Sequence, residues 1–234
     1  MPAATETAAG FLDALRALRS EPELAVVRRR LGPGDDAIGV RMKDLFDTAK
    51  AARRMPLEQV EALFADDRYE ARMGALCILD FRARARDATE DDRRAYYELY
   101  LRHLDRITTW DMVDRAAPSV VGGHLLGRSV APLVELAGAA APLRRRTAIT
   151  APLWFVRYGG EADLRGLFDV AALLAHDPDP VVHKAVGIAL KHAGGRDAAA
   201  VERFLDAHAA RMPRVAVRSA TDKLAPAVRA RFVG

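Results

Sequence analysis

The chain has 234 residues, half of them hydrophobic, and a formal charge of +4 from 36 basic and 32 acidic side chains. So many apolar residues can bury a sizeable core, which excludes an intrinsically disordered chain. The small positive excess allows an anionic partner without demanding one. The positions of the arginines therefore carry more information than their total.

Several classes of protein are excluded by what the sequence lacks. No segment resembles a secretory leader, and no apolar run approaches the ~18 residues of a membrane span, so we expect a soluble, cytoplasmic protein. Cys77 is the single cysteine, which excludes an internal disulfide and a thiolate metal cluster. Its apolar surroundings predict a buried structural thiol. The six histidines have no metal-binding spacing, so we expect no metal site.

The N-terminal part, up to about residue 50, predicts an irregular cap on a regular repeat array. Its arginine run at 28–30 is interpreted as a solvated helix end, with phosphate contact as the alternative. The rest of the chain repeats a turn rich in acids or proline, then a basic residue, then small and aliphatic residues. With one marker missing, the basic residues recur roughly every 37 residues. They are Arg72, Arg146, Lys184 and Arg218.

A period in the high thirties with two amphipathic helices per unit is typical of HEAT-type solenoids. Apolar stripes at helical spacing predict first helices of such hairpins over 90–103 and 163–175. No segment predicts a strand. We therefore predict an all-α fold, a curved solenoid (an α-α superhelix) of HEAT-like helical hairpins that forms a single domain over residues 1–234.

In a regular stack, equivalent positions of successive second helices line up along the concave face. A row of basic residues there suits the backbone of duplex DNA. The predicted DNA contacts along this row are Arg72, Arg144, Arg145, Lys184 and Arg218. A second interpretation stays open at each position, because a basic residue in this helix also forms local salt bridges, commonly with an acid of the neighbouring repeat.

The missing marker is expected near position 109 or 110, where the sequence continues Trp110-Asp111-Met112-Val113-Asp114. In a helix Trp110 and Asp114 are four residues apart and share a face. Asp111 points elsewhere, and we expect it to cap or brace the repeat. By the repeat phase, the face of Trp110 and Asp114 belongs to the same surface as the basic residues.

This combination suits the cleavage of an N-glycosidic bond. A carboxylate such as Asp114 stabilises the positive charge that develops on the deoxyribose as the base departs, or positions water against it. The indole of Trp110 packs on the sugar or on a cationic alkylated purine, and Arg146 grips the neighbouring phosphate with its forked donors. The alternative is that Trp110 belongs to the core and that Asp114 pairs with Arg115 or another arginine.

The sequence resembles the DNA alkylation repair (AlkD-like) family of HEAT-repeat DNA glycosylases over nearly its whole length. The matching elements are Trp110 to Asp114 followed by Pro118, Arg146-Thr147-Ala148-Ile149, Lys184 to Gly187, and Gly39-Val40-Arg41. The resemblance implies excision of cationic N3- or N7-alkylated purines from duplex DNA, without a cofactor. It also implies that Trp110, Asp114 and Arg146 form the active-site trio. We expect the protein to be a monomer associated with the nucleoid.

Two positions depart from the family pattern. Members commonly carry an aromatic residue after the Lys-Ala-x-Gly element, where this chain has Ile188, and a tyrosine in the N-terminal helix, near Val27 here. Both aromatics would contact the nucleotide that bears the lesion. Ile188 is therefore assigned to the DNA contacts, where its side chain offers less contact area than an aromatic ring. The alternative function is a non-catalytic helical-repeat module that binds DNA or a protein partner.

Overall fold

The computed structural model describes residues 6–233. Over this range the backbone forms helices and one isolated parallel β-bridge between Asp36 and Arg68, with no strand. The predicted all-α fold is confirmed. The chain divides into two compact units, residues 1–116 and 117–234. No helix among the described residues has both the length and the apolar character needed to cross a membrane.

The first unit is a row of helices that pack side by side. Its helices are α1 (Ala8–Ala17), α2 (Glu21–Arg28), α3 (Met42–Ala51), α4 (Leu57–Phe64), α5 (Tyr69–Ala83), α6 (Glu90–Arg102) and α7 (Trp110–Ala116), with a 3-10 turn at Leu104–Arg106. Helix α5 packs against α3 on one side and α7 on the other, while α4 and α6 also contact it. The central position of α5 explains why most of its residues are buried, including the thiol of Cys77. The predicted structural role of that cysteine is confirmed.

A buried carboxylate fixes the segment between α2 and α3. Glu70 is fully buried, and its carboxylate accepts hydrogen bonds from the backbone N–H groups of Ile38 (2.8 Å), Gly39 (2.8 Å) and Val40 (3.3 Å). Gly39 has a φ of +88° and lies against α2, where a side chain would collide with Leu24. The Gly39-Val40-Arg41 element is thus a turn that requires glycine at its first position. Its backbone is fixed by the hydrogen bonds to Glu70 of α5.

The second unit contains three helical hairpins whose second helices are neighbours. Its elements are a π-helix (Ala117–Gly122), α8 (Gly123–Leu125), α9 (Ala131–Ala137), α10 (Pro142–Thr150), α11 (Leu153–Tyr158), α12 (Glu161–Leu174), α13 (Pro180–Gly194), α14 (Ala198–His208), α15 (Arg214–Ala220) and α16 (Pro226–Val233). Helix α13 packs between α10 and α15. The approach of α15 to α13 is close, because a methyl group on Gly187 would lie 2.6 Å from the carbonyl oxygen of Ala216.

The basic residues that mark the predicted repeat lie at equivalent positions of successive second helices. Arg146, Lys184 and Arg218 are each the fifth residue of a second helix, in α10, α13 and α15 respectively. Asp114 is likewise the fifth residue of α7, and Arg72 is the fourth of α5. The first helices predicted over 90–103 and 163–175 correspond to α6 and α12.

Candidate functional site

Helix α7 carries the Trp-Asp-Met-Val-Asp sequence, and the carboxylate of Asp111 anchors its first turn. One oxygen of Asp111 accepts a 2.7 Å hydrogen bond from the hydroxyl of Tyr69 and lies 3.2 Å from the guanidinium of Arg30. The other accepts from the backbone N–H of Met112 at 3.1 Å. Asp111 therefore braces α7 against α5 and the end of α2, as the sequence predicts.

A second polar anchor of α7 is Arg115, which follows the buried Met112 and Val113. Its guanidinium forms a 2.8 Å ion pair with Asp80, which is almost fully buried in α5. It also lies over the rings of Phe46 and Phe81, with its central carbon 4.4 and 4.8 Å from the ring centroids. Both contacts are cation–π interactions, in which the positive guanidinium is attracted to the faces of the two rings. Arg115 consequently joins α7, α5 and α3 from the inside of the unit.

Trp110 and Asp114 lie on α7 between these two anchors. Trp110 is 47% exposed, so the interpretation that it belongs to the core is wrong. Asp114 is half-buried and lies one helical turn further on, on the face that the four-residue spacing defines. Since the anchors on either side hold α7, the first unit presents an indole and a carboxylate at a defined spacing.

The arginines of α10 are built into the second unit to different degrees. Arg146 is 4% exposed, and its guanidinium donates to the carbonyl oxygen of Val181 at the start of α13. Arg145 pairs with Asp177 at 2.6 Å, which raises the pKa of its guanidinium, and it also donates to two carbonyl oxygens of the preceding turn. Arg145 thus forms the salt bridge with an acid of the neighbouring repeat, which was the alternative to a DNA contact at this position. Arg144 is half-buried.

Arg72, the first member of the predicted basic row, lies inside the first unit. It is 1% exposed, pairs with Asp35 at 2.5 Å, and donates to the carbonyl oxygens of Asp67 and Arg106. This burial corrects the expectation that Arg72 belongs to an exposed cationic row. We therefore leave it out of the DNA contacts proposed below. Its signal in the sequence was indistinguishable from that of an exposed marker, because both follow an acidic turn.

The remaining predicted contacts are in α13 and α15. Lys184 and Arg218 are exposed, and within residues 6–233 neither side chain forms a hydrogen bond or ion pair. Ile188 is half-buried on α13, one turn after Lys184. Val27, at the other position that lacks the family's aromatic, is buried in α2. The exposed cations of the row are thus those of the last two second helices.

Comparisons with known proteins agree with this architecture. The family model described as "DNA alkylation repair enzyme" matches residues 11–224. A solved structure, a "Predicted DNA alkylation repair enzyme from Enterococcus faecalis", shares the fold with a TM-score of 0.67 at 15% sequence identity, over 89% of this chain and 97% of that chain. A search of curated proteins found no match. Because the family match spans nearly the whole sequence, this chain belongs to the DNA alkylation repair enzyme family.

Proposed function

We propose that the protein is a DNA glycosylase that hydrolyses the N-glycosidic bond of cationic N3- or N7-alkylated purines in duplex DNA. The observation that carries this proposal is the pairing of a 47% exposed indole with a carboxylate one turn later on α7. Family membership makes DNA with alkylation damage the substrate to test. A helix that served packing alone would place Trp110 inside, where its large ring contributes most to stability.

The chemistry assigned to Asp114 is electrostatic. As the bond between C1′ and the purine nitrogen breaks, its electron pair stays on the purine and neutralises the positive charge of the alkylated ring. The sugar becomes an oxocarbenium ion, which the Asp114 carboxylate stabilises. The oxygen of a water molecule then bonds to C1′ and a proton is released. A cationic purine leaves without being protonated, so this mechanism needs no general acid.

Trp110 and Arg146 have binding roles in this proposal. The indole face of Trp110 packs on the sugar or on the positively charged base, which a cation–π interaction favours over the neutral purine. Arg146, whose guanidinium is held by the Val181 carbonyl at the start of α13, is assigned the phosphate beside the lesion. Lys184 and Arg218, which are exposed, contact phosphates further along the duplex, and Arg144 adds a contact near Arg146.

Ile188 replaces an aromatic residue that would add contact area to the damaged nucleotide, while Val27, the other departure from the family pattern, is buried in α2. An aliphatic side chain at position 188 provides no π face for a cationic purine. We therefore propose a narrower range of lesions than the family pattern implies, with binding of the damaged base dependent on Trp110. Restoring an aromatic residue with Ile188→Trp is expected to tighten the binding of alkylated duplex.

The decisive experiment measures the release of free 7-methylguanine and 3-methyladenine from methylated duplex DNA. We expect the wild-type protein to release at least one of them, and Asp114→Asn to slow that release by roughly 100-fold or more. The Asp114→Asn variant should still bind the duplex, because the substitution removes a negative charge from the site. Asp169→Asn, at an exposed carboxylate of α12, is the matched control and should be as active as the wild type.

Two results would argue against the proposal. An Asp114→Asn variant with an unchanged release rate would remove the carboxylate mechanism. Salt-sensitive binding of duplex by the wild-type protein, without release of any alkylated base, would instead favour the non-catalytic DNA-binding module. Arg146→Ala tests the phosphate contact separately, since we expect it to weaken both binding and release.

A further inference from the structure

A basic recess lies in the first unit, between the C-terminal ends of α3 and α5 and the first turns of α6. Its volume is about 640 Å³. Five cationic side chains line it, namely Lys50, Arg53, Arg54, Arg82 and Arg86. The acidic side chains in its lining are Asp87 and Asp92. The recess is therefore strongly positive, and none of these residues takes part in the mechanism proposed for α7.

One of the cations is a structural part of the recess wall. The guanidinium of Arg82 donates to the carbonyl oxygen of Arg53 at 2.7 Å and also to that of Met55. It lies over the ring of Tyr96, 5.9 Å from the ring centroid. These contacts tie the loop after α3 to α5 and α6, so the recess has a defined shape.

The carboxylate of Asp92 is occupied by its own helix. It accepts from the backbone N–H and the hydroxyl of Thr89, in a capping box at the start of α6. These hydrogen bonds lower the pKa of Asp92 and keep the carboxylate ionised at the helix N-terminus. Asp92 therefore caps its own helix while it also lines the recess.

The other four cations have no partner within the described range of the chain. Lys50, Arg53, Arg54 and Arg86 are exposed, and no hydrogen bond or ion pair involves their charged groups among residues 6–233. Among the described residues of the same unit, Arg28 and Arg29 at the end of α2 also have no such partner, whereas most other exposed cations pair with an acid. Examples are Arg16 with Asp13, Lys43 with Asp47, and Arg94 with Asp91. Grouping unpaired like charges around one recess is repulsive, so the arrangement favours a ligand that carries several negative charges.

We propose that this recess is a second DNA-binding surface that contacts backbone phosphates of duplex DNA, separately from the α7 site. Guanidinium groups suit phosphate because their forked donors match its oxygens, and three of the four unpaired cations are arginines. Contacts of this kind depend on the backbone and not on the lesion. The choice of DNA as the polyanion rests on the proposed function, in which duplex DNA is the substrate.

The test compares two triple variants of the full chain with equal loss of charge. Arg53→Gln/Arg54→Gln/Arg86→Gln removes three recess cations. Arg16→Gln/Lys43→Gln/Arg94→Gln removes three exposed cations that already have acidic partners. Binding of an undamaged duplex is measured at several salt concentrations, so that no chemical step is involved. We expect the recess variant to bind ~10-fold more weakly and the slope of log K against log salt to fall by about 2 to 3, as each lost phosphate contact lowers it by about 0.9.

Equal affinity and equal salt slope in the two triple variants would overturn the proposal. A titration with inorganic phosphate distinguishes a site for free phosphate from a site for the phosphates of the DNA backbone. If the recess variant loses phosphate binding while its duplex affinity matches the control, the recess serves a free phosphate and the DNA assignment is wrong. A wild-type protein that releases no alkylated base would refute the proposed function but leave this binding comparison intact.

Discussion

The hydroxyl of Tyr69 donates a 2.7 Å hydrogen bond to the carboxylate of Asp111 and so connects the first turn of α5 to the first turn of α7. Arg30 approaches the same carboxylate from the end of α2 and lies over the Tyr69 ring, 5.8 Å from its centroid. Three segments thus converge on one side chain. Because Asp111 directly follows Trp110, these contacts determine how α7 presents its indole and the carboxylate of Asp114.

Removing either partner of the Tyr69–Asp111 hydrogen bond should destabilise the protein. We expect Tyr69→Phe to lower the free energy of unfolding by about 1 to 3 kcal/mol, because a buried hydrogen bond to a charged acceptor is lost. Asp111→Asn should have an effect of similar size. The double variant should lose about 1 kcal/mol less than the sum of the two, because the variants share one contact. Urea unfolding of the four proteins measures this coupling, and strictly additive losses would contradict it.

The same tyrosine predicts a dependence of stability on alkaline pH. Burial, together with the nearby charge of Asp111, raises the pKa of Tyr69 above its usual value of 10.0. Above about pH 10 the unfolded chain loses the phenolic proton while the folded protein retains it. Protonated Tyr69 therefore makes its full contribution to stability below about pH 10, and the free energy of unfolding decreases as the pH rises further. Between pH 10 and 11, we expect the free energy of unfolding of the wild type to fall by about 1 kcal/mol more than that of Tyr69→Phe, and by about 1.4 kcal/mol per pH unit more once the pH exceeds 11.

Trp110→Ala should separate function from stability. Because nearly half of the indole is exposed, we expect its removal to lower the free energy of unfolding by less than removal of the more buried Trp154 does. Base release should nevertheless fall by roughly tenfold or more if the ring packs on the cationic purine. Trp154→Ala is the comparison: Trp154 is half-buried and packs on Tyr158 at 4.4 Å, so its loss should cost about 2 kcal/mol or more. If Trp110→Ala destabilises the protein as much as Trp154→Ala does, Trp110 serves packing and not substrate binding.

A methyl group on Gly187 should push α13 and α15 apart. The added carbon would lie 2.6 Å from the carbonyl oxygen of Ala216 and 2.7 Å from the Cβ of Ser219, neither of which moves without shifting α15. We expect Gly187→Ala to lower the midpoint of thermal unfolding, at a cost of about 1 to 3 kcal/mol. Gly138→Ala is the control, since its nearest neighbour would be 3.5 Å away, at ordinary contact distance. Equal midpoints for the two variants would mean that the helices have room to adjust.

The placement of the chemistry on helices was predictable from local signals. The repeat of a turn, a basic residue and small aliphatic residues located α10, α13 and α15, and the spacing of Trp110 and Asp114 put them on one face of α7. The bracing role of Asp111 followed from the same helical geometry. The basic recess was missed, because its cations come from the C-terminal ends of α3 and α5 and from the loops that follow them, which are separate in the sequence and carry no shared periodic signal.

The amino-acid sequence by itself determined the all-α fold, the helix phase and the family, because helical periodicity and turn residues act over a few positions along the chain. Only the tertiary structure decided which cations face solvent. Arg72, Arg145 and Lys184 follow similar turns, yet Arg72 pairs with Asp35, Arg145 pairs with Asp177, and Lys184 remains exposed. The difference arises because the length of an arginine side chain lets it reach whichever acid or carbonyl the neighbouring repeat brings near. That proximity depends on packing between segments more than thirty residues apart.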